Sequence, residues 1–142
     1  MYQKLIIAGN LGKDPEMRYA PNGDAVTSFS VATSRKYTDK SGQKVEETIW
    51  FRVSVWGKQA EVCNQYLKKG RGVLVEGRLN ADKATGGPRI WTRQDGTAGA
   101  SFEITAESVR FLSGGQSQGG DGAGAGSQMM HDAPVEEENI PF

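Results

Sequence analysis

The chain has one cysteine, one histidine and no net charge, and it lacks any long hydrophobic run. Cys63, being alone, cannot close an internal disulfide, and a reducing, cytoplasmic setting is expected. His131 lies close to the end of the chain, so the part that folds has neither a histidine-based catalytic pair nor a Cys/His zinc site. No metal and no cofactor is expected. The longest aliphatic stretch, Leu5-Ile6-Ile7-Ala8, falls far short of the ~20 residues that cross a bilayer. Met1-Tyr2-Gln3-Lys4 leads straight into it without a small-residue cleavage site, so no signal peptide is expected. Gly70-Arg71-Gly72 is glycine-rich but lacks the Lys-Ser/Thr of a phosphate loop and precedes a strand. An enzyme is the least expected class.

The missing net charge would argue against a phosphate-bearing partner, were it uniform. It is not. Residues 1–112 hold all 17 basic residues against 12 acidic ones, whereas residues 113–142 hold five acids and no base. The composition changes at the same place. Residues 113–135 are mostly Gly, Ser, Gln, Ala and Asp, a composition that cannot bury enough surface to offset its ordering entropy. They are expected to form a disordered linker with a typical reach of roughly 25 Å. A folded domain is therefore expected over 1–112.

That domain reads as all-β. Strands are predicted over Leu5–Gly9 (stopped by Gly9, Gly12 and Pro15), Ala25–Tyr37, Val45–Trp56, Val73–Leu79 and Ser101–Leu112. Lys58–Lys69 has helical spacing: Ala60, Cys63 and Leu67 share a face with Val62 and Tyr66, and Gly70 suits a C-cap. Gln94-Asp95-Gly96-Thr97 suits a hairpin turn. Five strands with one helix between the third and fourth is the layout of an OB-fold, a five-stranded Greek-key barrel. An SH3-like barrel or a small sandwich uses similar strands.

On the third strand, Ile49, Phe51, Val53 and Val55 alternate as a core face, which turns Trp50, Arg52, Ser54 and Trp56 outward. Two tryptophans about 20 Å apart on a non-core face, with an arginine between them, call for a use. Arg89, Trp91 and Arg93 repeat the pattern, and Arg35 with Tyr37 does so at the end of the second strand. An aromatic face stacks on any unpaired base, while a neighbouring guanidinium meets the phosphate between bases. Duplex DNA hides its base faces, so the pattern favours single strands. Lys58, Lys69, Arg71 and Arg78 can line the path. The competing readings are core packing or a subunit contact for individual tryptophans, a single-stranded RNA binder, and a protein adaptor. Cys63 is read as a core residue of the helix.

The chain closes on Glu136-Glu137-Glu138-Asn139-Ile140-Pro141-Phe142. An acidic run alone would be a solubilising tail. Solubility does not call for Ile-Pro-Phe, however, and the sharper reading is a docking peptide whose Phe142 fills a pocket beside a basic rim.

Taken together, Gly9-Asn10-Leu11-Gly12-Lys13-Asp14-Pro15-Glu16, Arg18-Tyr19, Pro21-Asn22-Gly23, Val31-Ala32-Thr33-Ser34, Trp56-Gly57-Lys58, Ala60-Glu61-Val62, Tyr66-Leu67-Lys68-Lys69-Gly70, Val75-Glu76-Gly77 and Ile140-Pro141-Phe142 resemble the bacterial single-stranded DNA-binding protein family. They span nearly the whole chain in family order. The resemblance implies an OB-fold homotetramer that binds single-stranded DNA in replication, recombination and repair at the bacterial nucleoid. It implies that the tail recruits other genome-maintenance proteins. By position it makes Tyr37, Trp50, Trp56 and Trp91 the stacking aromatics and Arg52, Lys58 and Lys69 the basic lining. Asn80 stands where some members carry a base, Asn139 replaces a usual aspartate, and Phe51 replaces a histidine that supports the tetramer in some members.

Overall fold

The computed structural model describes residues 1–112. Its elements are β1 (Leu5–Leu11), β2 (Glu16–Tyr19), β3 (Ala25–Thr38), β4 (Lys44–Trp56), α1 (Lys58–Tyr66), β5 (Gly72–Asn80), β6 (Arg89–Thr92) and β7 (Ala98–Leu112). The expectations for 113–135 and 136–142 lie outside these residues.

Five strands close into a barrel in the order β1-β5-β7-β4-β3, and β3 returns to β1 through Asn10–Ala32 and Leu11–Val31. Neighbours are antiparallel except β4 and β7, which run parallel. This is the expected OB-fold, with α1 between the third and fourth barrel strands. β2 and β6 are short additions, paired to β3 and β7.

The barrel follows from alternation. Val53 and Val55 of β4 point inward, where they meet Val31, Val73, Val75 and Ile104, all essentially without solvent contact. Burying such a side chain contributes about 1.5–3 kcal/mol. Closing so small a barrel also brings backbones together. A Cβ at Gly9 would fall onto the Ala32 carbonyl, and one at Gly77 would fall onto the Thr105 carbonyl. Gly77 sits where the β5–β7 register shifts, a bulge that turns the corner. Helix α1 covers one barrel end with Ala60 and Cys63, followed by Leu67. The buried Thr27 hydroxyl donates to the Ala60 carbonyl at 2.6 Å and fixes the helix to β3. Burial pushes the Cys63 thiol up to about 11, so it stays protonated and unreactive at neutral pH.

Several local expectations are corrected. The first strand does not stop at Gly9; it continues to Leu11, because the missing side chain lets it cross β3 closely. The helix ends at Tyr66 rather than Lys69, with Leu67 already extended at φ −85° and ψ 145°. Gly70 is no helix cap. At φ +87° it serves a tight turn closed by the Arg71 amide on the Lys68 carbonyl, 3.1 Å. Two ladder bonds tie that turn to the end of β1, from the Leu11 amide to Arg71 and from the Gly70 amide to Leu11. Val62 and Tyr66 are exposed, since so short a helix buries only the Ala60–Cys63 stripe. Ile49 is exposed too, because the β3–β4 ribbon runs on past the barrel.

Candidate nucleic-acid interface

Trp50, Arg52, Ser54 and Trp56 occupy the outer face of β4, as alternation requires. Cross-strand partners extend that face in both directions. On one side lie Ala32, Ser30, Ser28 and Val26 of β3, and beyond them Glu16 and Arg18 of β2. On the other side, Arg52 and Ser54 pair with Glu103 and Thr105 of β7, which in turn face Asn80 and Arg78 of β5. Ser101 and Gly99 continue the same face along β7, and they pair with Arg89 and Trp91 of β6. The parallel β4–β7 pairing therefore joins two aromatic–arginine sets, distant in sequence, into one surface. Its three tryptophans stay open to solvent: Trp50 is 52% exposed, Trp56 47% and Trp91 41%.

Between Trp56 and β6 the surface dips into a groove of ≈ 310 Å³ lined by Arg18, Arg52, Ser54, Trp56, Asn80, Arg89, Glu103 and others. Three guanidiniums face one carboxylate there. Arg89 Nη1 lies 3.7 Å from Glu103 Oε2, and the Glu103 side chain is only 18% exposed. Arg18 and Arg52 have no ion-pair partner among the described residues. Charge of this sign on a concave wall draws phosphates, and an unpaired guanidinium can bind one without first breaking another contact.

The remaining expected residues are placed less uniformly. Arg78 is on the same outer face, 3.8 Å from Glu107. Lys58 opens α1 two residues after Trp56 and is exposed. The Lys69 amide is held by Asp14 Oδ1 at 2.8 Å, in the segment that brings Lys13 toward Arg52. Arg93 follows β6 directly, and its Nη1 donates to the Ala98 carbonyl at 2.6 Å and braces the β6–β7 turn. Arg35 and Tyr37 are not joined to the tryptophans. They lie on the opposite face of the β3–β4 ribbon, with the Arg35 guanidinium 4.7 Å from the Tyr37 ring centre. The Tyr37 hydroxyl donates to Glu47 at 3.0 Å. That bond, then the Glu47 charge, raises the phenol above its ordinary value.

Lys13, Arg18 and Glu103 were not singled out for this surface by sequence reasoning. Arg18 had a signal, the short alternation Glu16-Met17-Arg18-Tyr19, in which Met17 packs inward and Arg18 turns out. Among the described residues, no group of three His, Cys, Asp or Glu side chains is arranged to hold a metal ion.

Residues 2–112 match the single-strand binding protein family. The chain belongs to that family. Relatives include the single-stranded DNA-binding proteins of Neisseria meningitidis serogroups A and B, each 43% identical over 120 residues. That alignment covers 84% of this chain and 64% of the relative, so the chain spans less than two thirds of the Neisseria proteins' length. The Wolinella succinogenes single-stranded DNA-binding protein is 41% identical over 121 residues, 84% of this chain and 70% of its own. Among solved structures, a deletion mutant of the Thermus aquaticus single-stranded DNA binding protein superposes with a TM-score of 0.62 at 32% identity, over 78% of this chain and 50% of that one. The Plasmodium falciparum member, solved with single-stranded DNA, gives 0.65 at 26% identity, over 79% of this chain and 96% of that one. The barrel, then, has a counterpart in a protein solved with single-stranded DNA. No helix among the described residues is long and apolar enough to cross a membrane.

Proposed function

We propose that this chain is a non-enzymatic, sequence-tolerant binder of single-stranded DNA, cytoplasmic and active on bacterial DNA at the nucleoid. One observation carries the proposal: three half-exposed tryptophans share a continuous face with Arg18, Arg52 and Arg89. Bases of a single strand stack on the rings at about 1–3 kcal/mol each, and the guanidiniums take up the phosphates between them. Residues 1–112 form the binding domain in this proposal. Its DNA-contacting residues are Trp50, Arg52, Trp56, Lys58, Lys69, Arg78, Arg89 and Trp91, with Arg35, Tyr37 and Arg93 on the hairpins that flank the path. The test sets an oligo-dT strand against a duplex of equal length. The single strand should bind far more tightly, and equal affinity for both would refute stacking on unpaired bases.

Assembly as a homotetramer belongs to the same proposal. Ile49, Leu79, Ile90 and Phe102 lie exposed beyond the barrel end on the inward-facing side of their strands, and Phe102 leans on Phe51 at 5.8 Å. Four such barrels would also align their DNA faces into a longer path. Sedimentation equilibrium should return the mass of four chains; the mass of one chain would count against assembly.

The third part concerns residues 113–142. Residues 113–135 act as a tether and Glu136, Glu137, Glu138, Asn139, Ile140, Pro141 and Phe142 as a docking peptide for replication, recombination and repair proteins. Acids without a compensating base cannot hold DNA, whereas Ile140-Pro141-Phe142 beside three glutamates suits an apolar pocket with a basic rim. Deleting Phe142 should abolish recovery of partner proteins and leave DNA affinity unchanged. Undiminished recovery would sink the docking role.

A further inference from the structure

Two of the three tryptophans rest on glycine. A Cβ at Gly99 of β7 would lie 2.8 Å from both Cε2 and Nε1 of Trp91 and 3.0 Å from Cζ2. A Cβ at Gly12 would meet the outer edge of the Trp50 ring, with Cη2 at 2.6 Å. Three adjacent ring atoms at nearly equal distance mean that the Trp91 indole presents a face, not an edge, to residue 99. Trp56 has no such seat, since its cross-strand partner is Val26.

Neither glycine is required by its own backbone. Among the described residues the positive-φ glycines are Gly23, Gly42, Gly57, Gly70, Gly86 and Gly96, so Gly12 and Gly99 have conformations that an ordinary residue adopts. Nor are backbone atoms the nearest that a side chain there would meet, as they are at Gly9 and Gly77. Glycine inside a strand weakens it, through greater chain entropy and the lack of a packing side chain. Gly99 is inside β7 and pairs directly with Trp91. What it supplies is the volume that the indole fills.

We infer that Gly12 and Gly99 are positioning residues: Gly99 seats Trp91 flat against β7, ready to stack on a base, and Gly12 leaves the room that the edge of the Trp50 ring occupies. The inference rests on the proposed DNA-binding role and adds how the platforms are held. An indole covered on one face by backbone has few rotamers left, so it loses little side-chain freedom when a base covers the other face. A methyl group at 99 displaces the ring from this position and replaces no phosphate-binding side chain; the three heavy atoms nearest to it all belong to Trp91. Base stacking is lost in part, and phosphate binding is retained.

Gly99→Ala tests this in two ways with the full-length chain. Without DNA, acrylamide quenching is measured in a Trp50→Phe, Trp56→Phe background, where Trp91 alone emits. The alanine should raise the quenching of Trp91, while the melting temperature stays equal or rises. Unchanged quenching would overturn the seat. With oligo-dT, Gly99→Ala alone should weaken binding roughly 5- to 10-fold, the lower part of the stacking range, with an unchanged salt slope. Added to Trp91→Ala, it should weaken binding no further. Losses that multiply would show that Gly99 acts independently of the ring and would overturn the inference. A Trp91→Ala variant that binds as tightly as the natural chain would instead refute the stacking role of Trp91, and the quenching result would stand apart from that failure.

Discussion

Replacing Trp50 and Trp56 together by alanine is expected to reduce affinity for single-stranded DNA by about 2–6 kcal/mol, the sum of two stacking contributions of about 1–3 kcal/mol each. The two effects should add. The rings stand six residues apart on β4, about 20 Å along the strand, with no shared partner among the described contacts. Their exposure argues that the fold itself does not depend on them: each leaves roughly half its surface in water, and neither belongs to the core cluster. The double variant should therefore keep its melting temperature within a few degrees. Fluorescence anisotropy with a labelled oligo-dT measures the loss. Unchanged affinity would make both tryptophans structural or subunit-facing residues.

The largest expected effect on stability comes from the corner of the barrel. Gly77→Ala would place a Cβ on the Thr105 carbonyl oxygen, with the Thr105 carbonyl carbon and Ala106 Cα only 2.9 Å away. All three are backbone atoms of β7, so no side chain can rotate out of the way. Overpacking a well-filled interior costs about 1–3 kcal/mol, and a backbone collision belongs at the upper end of that range. The shift must spread through β5 and β7, which carry Val73, Val75 and Ile104 into the core. Urea denaturation should show a markedly lower midpoint with an unchanged slope. A midpoint equal to that of the natural chain would mean that the corner is slack. Gly99→Ala makes a useful contrast, since the three atoms nearest to its Cβ all belong to the Trp91 side chain, which can rotate aside, and its stability should not fall.

Local pattern carried much of this molecule. Strict alternation along Trp50–Trp56 placed the outer tryptophans and Arg52 correctly, because one buried face leaves a strand no freedom to slip by a residue. The helix showed the limits of such reading. Leu67, Lys68 and Lys69 are good helix formers, yet the chain leaves the helix at Leu67, where the turn is tied to β1. A tertiary bond overrides a preference of a few tenths of a kcal/mol per residue. The surface as a whole was less legible for a similar reason. Arg89 and Trp91 join Arg52 and Trp56 only through the parallel β4–β7 pairing, a contact between segments about fifty residues apart. Nothing in the local sequence sets that register. Glu103 was missed on the same account: its outward direction follows from alternation, but its place beneath Arg89 follows from pairing. Arg35 and Tyr37 resemble the other aromatic–arginine sets in spacing, yet strand parity turns them to the opposite side of the ribbon.

The charge arrangement gives the surface a second property. Among the described residues Arg18 and Arg52 have no ion-pair partner, whereas Arg89 lies beside Glu103 and Arg78 beside Glu107. A phosphate arriving in the groove meets those two guanidiniums first, and Arg89 can bind it only by loosening its carboxylate. On the proposed tether, the five acids of residues 113–142 are expected to compete with phosphates for the same guanidiniums when DNA is absent. Removing residues 113–142 should accordingly tighten binding at low salt, and equal affinity of both forms there would contradict this competition.

Single-stranded DNA binding by stacking and phosphate neutralisation is tested most directly by titrating the full chain with oligo-dT at two salt concentrations while following tryptophan emission. Emission should be strongly quenched at both, with a saturation point counted in bases per subunit and an affinity that falls as salt rises. Emission that stays constant at low salt, where phosphate binding is strongest, would contradict it.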